Sequence, residues 1–466
     1  MSQLPDTDAL DPNPDADGAW PKPSIAWYAV GILSLAYAFA ILDRSILSLL
    51  VQPIERDLAI NDTQMGLLSG LAFGLFYATL GVPIGWLADR TSRRNIIGVG
   101  IALWSIATAS CGMANTYLQL FFSRMTVGVG EATLGPSASS MIADLFSPKD
   151  RPKAFGIYVM GTAFGTGLSA LMGALVIGLL SAHGDYDVPV LGIIRSWQAV
   201  FFIVGLPGLV VAALVMTVPE PVRRGRLNKA GNASIMDVLR FMASRKMAYA
   251  CSFLGPIFII MAIYGSIAWS ASFFIRAYGW SPQQYGYVSA PLSTLAGVIS
   301  ALSSGFVTTY FSRRDKHTGP IMTILLGVIG STLAHVMMPF SPNGAIAFGF
   351  SFAGSLFANW PSAAAFTALN QITPNEMRAQ ITALYNLTIG LTGLTLGPLI
   401  VGILTDYVFA DPKMVGYSLG ATYGGCGIMG VTIILLGHKS FAAASRSVIW
   451  EDNSIKGRTN DAQVQR

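Results

Sequence analysis

The chain has few charged residues and few of the side chains that soluble enzymes use for catalysis. Asp, Glu, Lys and Arg make up 11% of its 466 residues, against roughly 25% in an average globular protein. The three cysteines, Cys111, Cys251 and Cys426, are isolated in apolar surroundings, so we expect no disulfide and no metal site. No Walker loop, paired-histidine motif or nucleophile elbow stands where it would function. We therefore expect neither an enzyme nor a bound cofactor.

Long apolar runs are what the chain has instead. Hydrophobic residues make up 53% of it, and the mean hydropathy is +0.55. Apolar runs of about 17 to 25 residues are long enough to cross a bilayer as helices. The sequence predicts an all-α integral membrane protein with twelve transmembrane spans, numbered in chain order. We place them at residues 25–52, 63–85, 96–114, 117–143, 153–181, 196–218, 247–276, 284–310, 319–340, 343–370, 377–408 and 414–438.

The basic residues predict the orientation. If the N-terminus is cytoplasmic, all but six of the 29 Lys and Arg fall on the cytoplasmic side, which is the bias of inner-membrane proteins. The exceptions are Arg44 and Arg124 within spans, and Arg56, Arg195, Arg276 and Lys413 outside. We predict a multi-pass protein of the inner cell membrane with both termini cytoplasmic. The net charge of +5 follows from this distribution, so no nucleic-acid partner is expected.

An internal repeat divides the chain into two halves. Gly85, Ser92 and Arg93 recur 220 positions later as Gly305, Ser312 and Arg313, and PSASSM (136–141) is answered by PSAAAF (361–366). We predict a disordered tail at 1–24, six-helix halves at 25–218 and 247–438, a cytoplasmic linker at 219–246 with one surface helix, and a cytoplasmic tail at 439–466. Two parallel six-helix repeats form the central cavity in one large class of transporters.

The stretch GWLADRTSRRN (85–95) resembles the loop between helices two and three of the major facilitator superfamily, and the resemblance covers nearly the whole chain after residue 24. A more specific resemblance runs from LDRSILSLLVQPIERDLAINDTQMGLLSG through GVPIGWLADRTSRRNIIGVGIALWS to RMTVGVGEATLGPSASSMIADLFSPKDRPKAFGIY. These segments are similar to the Spinster family, which implies a bacterial transporter of lysophospholipids or of lipids like sphingosine-1-phosphate. Proton coupling has been proposed for that family.

Four ionisable residues lie within the spans, where charge is costly and often functional. They are Asp43 and Arg44 in span 1, and Arg124 and Glu131 in span 4. Their depths, at 1.5 Å of rise per residue, predict one polar cluster. We expect Arg44 and Arg124 to bind an anionic head group, Glu131 to pair with an arginine when substrate is absent, and Asp43 to take up a proton. The resemblance also points to the Asp-Arg pair and the glutamate. The alternative is a static set of salt bridges joining the two spans.

The second half has aromatic residues in its spans where the first half has charges. We predict an apolar pocket for a substrate tail, formed by Tyr264, Trp269, Phe357, Trp360, Tyr385 and Asn386. Ordinary helix packing is the alternative for each of these aromatic residues.

The 85–95 loop is expected to help latch the two halves together. Gly85 lets span 2 approach a neighbour, and Asp89 meets the N-terminal dipole of span 11 near Glu376. Arg93 is expected to pair with Asp144 or Asp150. The predicted latch residues are Gly85, Asp89, Arg90, Arg93, Asp144, Arg151, Glu376 and Arg378.

Several functions are compatible with these features. The leading one is secondary active transport of an anionic amphiphile or lysolipid by rocking of the two halves, with protons and membrane lipids as further partners and the chain expected to be a monomer. The closest rival is transport of small organic anions, which a mostly polar wall in the second half would favour. A receptor or scaffold that has lost transport is a second alternative.

Overall fold

The computed structural model describes residues 20–147, 149–181, 186–188, 192–223 and 234–464. The predicted tail at 1–24 therefore lies mostly outside the described residues. The spans of the first half are Pro23–Leu49, Asp62–Ala88, Arg93–Cys111, Tyr117–Leu145, Arg151–Ser181 and Ser196–Met216. Those of the second half are Lys246–Tyr278, Pro282–Arg314, Gly319–Phe340, Gly344–Ile372, Glu376–Phe409 and Pro412–Ser447. The all-α membrane architecture is confirmed.

Spans 4 and 10 differ from the prediction because each is two helices. Span 4 consists of Tyr117–Glu131 and Leu134–Leu145, and span 10 of Gly344–Ser355 and Asn359–Ile372. Pro136 and Pro361, at matching places in the repeat, lack the N–H that would bond the carbonyl four residues earlier. The other ten spans are helices long and apolar enough to cross a membrane. The broken pair brings the number of spans to twelve, as predicted.

Two further elements lie outside the spans. The prediction omits an antiparallel hairpin, Tyr186–Val188 with Gly192–Ile194, which follows span 5. A short helix, Ile235–Ser244, lies in the linker before span 7. We call the end of the bundle that carries this linker the linker end, and the opposite end the hairpin end.

Polar side chains fix where several spans begin. The Asn61 side chain accepts a hydrogen bond from the Gln64 backbone N–H at 2.9 Å, and the Gln64 side-chain oxygen accepts one from the Asn61 backbone N–H at 3.0 Å. Ser281 and Asn343 cap spans 8 and 10, each accepting at 3.0 Å from the backbone N–H three residues on. Such caps satisfy backbone donors that have no partner within the helix.

The two halves are in close contact toward the hairpin end. A Cβ atom on Gly66 would lie 2.8 Å from the Pro398 carbonyl oxygen, and one on Gly70 would meet the Thr395 carbonyl, so spans 2 and 11 touch backbone to backbone. Spans 5 and 8 do the same, because a Cβ on Gly286 would lie 2.5 Å from the Ala170 carbonyl oxygen. Small residues permit this approach between membrane helices.

Charged residues add to this contact. Arg276 of span 7 donates to both carboxylate oxygens of Asp62 at 2.9 and 2.8 Å, and to Glu55 at 2.6 Å. Burial and a hydrogen bond with Asp62 raise the pKa of Glu55 to about 9, despite the opposing effect of Arg276. Asp406 accepts from the Thr63 backbone N–H and hydroxyl at 2.7 and 2.6 Å. Residues of the first half are therefore bonded directly to the second half at this end.

The same helices separate toward the linker end. A Cβ on Gly81 of span 2, Gly156 of span 5 or Gly305 of span 8 would have no neighbouring atom within 4 Å. The halves therefore enclose a cleft that is closed at the hairpin end and open at the linker end.

We expect Gly70→Ala to open the hairpin end. The added methyl group collides with the Thr395 backbone only while spans 2 and 11 touch, so separation of the halves relieves the clash. Labelling of an introduced Ser289→Cys by an impermeant maleimide added at the hairpin end, with the native cysteines replaced by alanine, should increase. Gly81→Ala is the matched control in the same span, and equal labelling of the two variants would contradict the expectation.

Candidate functional site

The centre of the site is an ion pair between spans 1 and 4. Arg44 Nη2 donates to Glu131 Oε2 at 2.6 Å, and the two side chains are 19% and 1% exposed. The Arg44 guanidinium carbon lies 4.5 Å from the centre of the Phe73 ring and 4.8 Å from that of Tyr77, both in span 2. Arg44 is thus held by a carboxylate and two aromatic faces, and it remains partly open to the cleft.

A second polar group lies behind this pair, inside the first half. Thr108 of span 3 donates to Asp43 Oδ2 at 3.2 Å, and Arg124 Nη1 donates to the Asp43 backbone carbonyl at 3.3 Å. Asp43 and Arg124 are both 2% exposed. Successive residues of a helix point about 100° apart, so Asp43 faces the interior of the half while Arg44 faces the cleft.

The four charged residues therefore form two layers rather than one cluster at the cavity wall. The sequence predicts that Arg44 and Arg124 both bind the anion. In this conformation Arg124 cannot reach a ligand in the cleft, because its side chain is buried against Asp43. Asp43 Oδ1, Glu131 Oε1 and the Nε atoms of both arginines have no hydrogen-bond partner among the described residues. A buried charged group whose atoms lack hydrogen-bond partners costs free energy, unless a water molecule or a ligand bonds to those atoms.

A cavity of about 240 Å³ is lined by residues of both halves. We call it the hydroxyl chamber, because ten of its lining residues are Ser or Thr: Ser45, Ser48, Thr166, Ser169, Ser266, Ser270, Ser289, Ser293, Ser351 and Ser355. Their spacing is a signal that the sequence prediction missed. Spans 7, 8 and 10 each carry two of these serines four residues apart, which places them on one face of a helix.

The predicted aromatic pocket does not form as expected. Trp269 is 1% exposed and donates its indole N–H to the Pro398 carbonyl at 2.9 Å, and Tyr385 is fully buried between Phe253 and Phe366. Both residues pack in the core of the bundle because their large rings fill the space between helices of the second half.

The other residues of the predicted pocket are spread over separate places. Phe357 and Trp360 lie at the break in span 10 with ring centres 5.0 Å apart, and Trp360 donates to Ser303 at 2.9 Å. Tyr264 is partly buried against span 11 beside Gly393, and Asn386 is exposed. The six residues thus do not line a single pocket in this conformation.

At the linker end, Arg93 joins three segments of the first half. It is 1% exposed and is ion-paired with Asp144 of span 4, as predicted, and with Glu220 beyond span 6 at 2.8 Å. Ser92 and the Arg94 backbone N–H also donate to Glu220, each at 2.9 Å. Burial raises the pKa of Glu220, but these hydrogen bonds outweigh it and lower the pKa below its usual value, so the carboxylate is charged at neutral pH.

The rest of the 85–95 loop is exposed and is held by the linker. Arg223 donates to the backbone carbonyls of Asp89, Ala88 and Thr91 at 2.5, 2.7 and 2.6 Å. Arg90 stacks on Trp86, with 3.6 Å between the guanidinium carbon and the ring centre. Gly85 faces Pro136 of span 4 at an ordinary distance.

The latch contact with span 11 is open in this conformation. Asp89 and Glu376 are exposed, and no hydrogen bond or ion pair joins them within the described residues. This fits a cleft that is open at the linker end, and the latch stays a prediction.

Arg151 and Arg378 have equivalent roles in the two halves. Arg151 Nε donates to the Phe146 carbonyl and Arg378 Nε to the Thr373 carbonyl, both at 3.0 Å. Phe146 and Thr373 are the residues that end the second helices of spans 4 and 10. The arginines therefore cap those helices, and cations are favoured at helix C-termini.

We expect Arg93→Ala to destabilise the fold strongly. Breaking a buried ion pair by removing one partner costs about 3–5 kcal/mol, and Arg93 pairs with two carboxylates. The thermal unfolding midpoint of the purified protein should fall well below that of Arg94→Ala. Arg94 is the matched control because, within the described residues, its side chain bonds only Asn95, at 3.3 Å. Similar midpoints for the two variants would show that the Arg93 network is not structural.

Comparison with known proteins shows relatives of similar length. The chain is 26% identical over 394 residues to an "MFS-type efflux pump" of Mycolicibacterium smegmatis, covering 84% of this chain and 86% of that protein. It is 26% identical over 415 residues to the sphingosine-1-phosphate transporter SPNS2 of Xenopus tropicalis, covering 85% and 76%. It is 25% identical over 324 residues to the probable galactarate/D-glucarate transporter GudP of Bacillus subtilis, covering 63% and 67%.

A solved structure has the same fold. It is a bacterial homologue of the human lysosomal transporter Spinster in an inward-facing, unoccupied conformation. The TM-score is 0.72 at 26% sequence identity, and the match covers 91% of this chain and 98% of that one. The family model of the Major Facilitator Superfamily matches residues 33–398. With its two six-helix halves around a central cleft, the chain is a multi-pass membrane transporter that belongs to the Major Facilitator Superfamily.

Proposed function

We propose that this chain is a proton-coupled secondary transporter of organic anions and that Arg44 binds the anionic group of the substrate. The observation that carries the proposal is the ion pair of Arg44 with Glu131 at the wall of the cleft. Arg44 is partly exposed there, and its guanidinium presents further N–H groups in a planar fork that suits carboxylate and phosphate. A substrate anion can therefore replace Glu131 as its partner.

Exchange of the partner of Arg44, from Glu131 to the substrate, couples substrate binding to proton uptake. When the substrate binds Arg44, Glu131 loses its cation and is left in a buried site, where an isolated carboxylate is costly. Proton uptake removes that cost. Asp43 is a second proton acceptor, next to Arg44 on the same helix, and its Oδ1 has no hydrogen-bond partner in the part of the chain that the structure describes.

The linker end is the cytoplasmic end in this proposal. Most basic residues outside the spans lie there, including the 85–95 loop and the linker, as the positive-inside rule requires. The cleft then opens to the cytoplasm, and both termini lie on that side of the inner membrane. Closure at this end would bring Asp89 toward the N-terminus of span 11 near Glu376, where we place the latch.

An anionic amphiphile such as a lysolipid is the first candidate substrate. The likeness to the sphingosine-1-phosphate transporter and to the bacterial Spinster homologue supports it. In this proposal an acyl tail would reach the bilayer between spans 5 and 8 at the linker end, where a Cβ atom on Gly156 or Gly305 would have no neighbouring atom within 4 Å. Phe73 and Tyr77 form an apolar surround for the head group at Arg44.

A small hydroxylated anion is the second candidate. The hydroxyl chamber is the polar wall in the second half that was expected to favour it. The likeness to a probable galactarate/D-glucarate transporter also supports it.

We expect Arg44→Ala to weaken binding of anions selectively. Hydrogen bonds to a charged group are worth about 1.5–3 kcal/mol, so affinity for lysophosphatidate should fall by roughly 10- to 150-fold. Affinity for uncharged monoacylglycerol should change little, and calorimetric titration of purified protein measures both.

Arg44→Ala/Glu131→Gln is the second variant, because it leaves no unpaired carboxylate that could itself disturb the fold. Arg90→Ala is the control, since Arg90 is an exposed arginine outside the cleft. Equal losses for the charged and uncharged lipids would exclude an anion-binding role for Arg44.

We expect Asp43→Asn to remove the dependence of transport on a pH gradient. Asn has nearly the shape of Asp and still accepts a hydrogen bond from Thr108, but it takes up no proton. Flux of lysophosphatidate and of galactarate into proteoliposomes, with and without an imposed gradient, measures the effect. Asp89→Asn, at an exposed site, should keep the dependence. If Asp43→Asn retains the wild-type response, Asp43 is not the coupling residue.

A further inference from the structure

The hydroxyl chamber has no side chain of either charge in its lining. The first half contributes Ser45, Ser48, Leu49, Thr166, Ser169 and Ala170, and the remaining lining residues come from the second half. Ser45 directly follows Arg44 in span 1, so the lining of the chamber begins at the depth of the ion pair. An anion bound to Arg44 and a group bound in the chamber would therefore lie at a similar depth in the bundle.

Hydrogen-bond accounting shows what the chamber offers to a ligand. Ser48, Thr166 and Ser355 donate to carbonyls of their own helices at 2.8, 2.9 and 2.8 Å. Each of these oxygens keeps lone pairs that can accept a hydrogen bond. The chamber therefore presents several acceptors at fixed positions.

Four other hydroxyls have no partner among the described residues: Ser45, Ser169, Ser293 and Ser351. Ser169 is the most informative, because it is 2% exposed and still lines the chamber. A buried hydroxyl without a hydrogen bond costs free energy. At the chamber wall, a bound polar group can supply the hydrogen bond that the described residues do not supply to Ser169.

The hydroxyl groups in the lining favour a polar ligand over an apolar or a cationic one. An acyl chain would remove these hydroxyls from water without replacing their hydrogen bonds. A cationic group would find no carboxylate in the lining. The volume of about 240 Å³ is below the roughly 300–1,000 Å³ of pockets for drug-sized ligands, so one small, uncharged, hydrogen-bonding group fits best.

We propose that the hydroxyl chamber binds the uncharged polyhydroxyl part of the transported anion while Arg44 binds its charged group. The substrate is then a polyhydroxylated organic acid, such as an aldonate or aldarate. This inference rests on the proposed role of Arg44. It adds the chemical class of the substrate and assigns Ser169, Ser293 and Ser351 as specificity residues.

The lining from both halves gives the chamber a role in the transport cycle. A ligand with several hydroxyl groups can bond Ser169 of span 5 and Ser293 of span 8 together. Both hydrogen bonds can form together only at one distance between the two halves. A bound ligand therefore stabilises the conformation with that distance over other conformations.

The test compares D-gluconate with hexanoate, which has the same number of carbon atoms and the same carboxylate but no hydroxyl groups. Binding of each to the purified full chain is measured by calorimetry, alongside galactarate and lysophosphatidate. The variants are Ser169→Ala/Ser293→Ala, with one residue from each half, and Arg44→Ala. Ser331→Ala is the matched control, because Ser331 is also buried without a side-chain hydrogen bond but lies in span 9, outside the chamber.

We expect gluconate to bind at least about tenfold more tightly than hexanoate. The double serine variant should lose roughly 5- to 100-fold in gluconate affinity, as expected for two neutral hydrogen bonds. Its hexanoate affinity and thermal unfolding should stay unchanged, and Ser331→Ala should match the wild type for both anions. Arg44→Ala should weaken both anions.

Three results would overturn the inference. They are equal affinity for gluconate and hexanoate, equal losses for both in the serine variant, or binding of lysophosphatidate without binding of gluconate or galactarate. If Arg44→Ala still weakens anion binding in those cases, the proposed function stands and only the chamber assignment fails. If Arg44→Ala has no effect on any anion, or if no anion binds, the proposed function fails as well.

Discussion

The constraint on which this molecule depends is the cost of placing charge in an apolar medium. Each ionised side chain inside the bundle needs a partner, and the chain provides very few. Arg44 has Glu131 and two aromatic rings, and Asp43 has Thr108 and the neighbouring Arg124. The helices of the first half are packed so that these contacts form. The same cost makes the Arg44–Glu131 ion pair sensitive to substrate and to protons. A substrate anion can replace Glu131 as the partner of Arg44, and protonation of Glu131 weakens the pair.

Contact between the halves is of a different kind. It relies on backbone approach at small residues such as Gly70 and Gly286, together with Arg276 and its two carboxylates at the hairpin end. At the linker end, Arg93 and Arg223 join segments within the first half and its linker. That end is therefore free to open without loss of these bonds. One half can rock against the other while each keeps its own internal network.

The two candidate substrate classes share one requirement and differ in another. Both need an anionic group at Arg44, and they differ in what lies beside it. An amphiphile needs an apolar path to the bilayer, whereas a hydroxylated acid needs fixed hydrogen-bond partners. The hydroxyl chamber supplies hydrogen-bond partners at fixed positions. Trp269 and Tyr385, two of the large aromatic residues expected to form the apolar pocket, pack between helices instead.

The sequence by itself determined the membrane class, the twelve spans, the repeat and the family, because bilayer thickness and helix period leave a direct trace in the order of residues. It also pointed to Arg44 and Glu131, since charges within spans are rare enough to be noticed, and it left Asp144 and Asp150 as alternative partners of Arg93. Only the tertiary structure decided that Arg124 is buried behind Asp43, that the aromatic residues are dispersed, and that serines from five spans line one chamber. Serine is common and inconspicuous in any one span. Its meaning here depends on which helix faces meet, and contacts between distant segments set that arrangement.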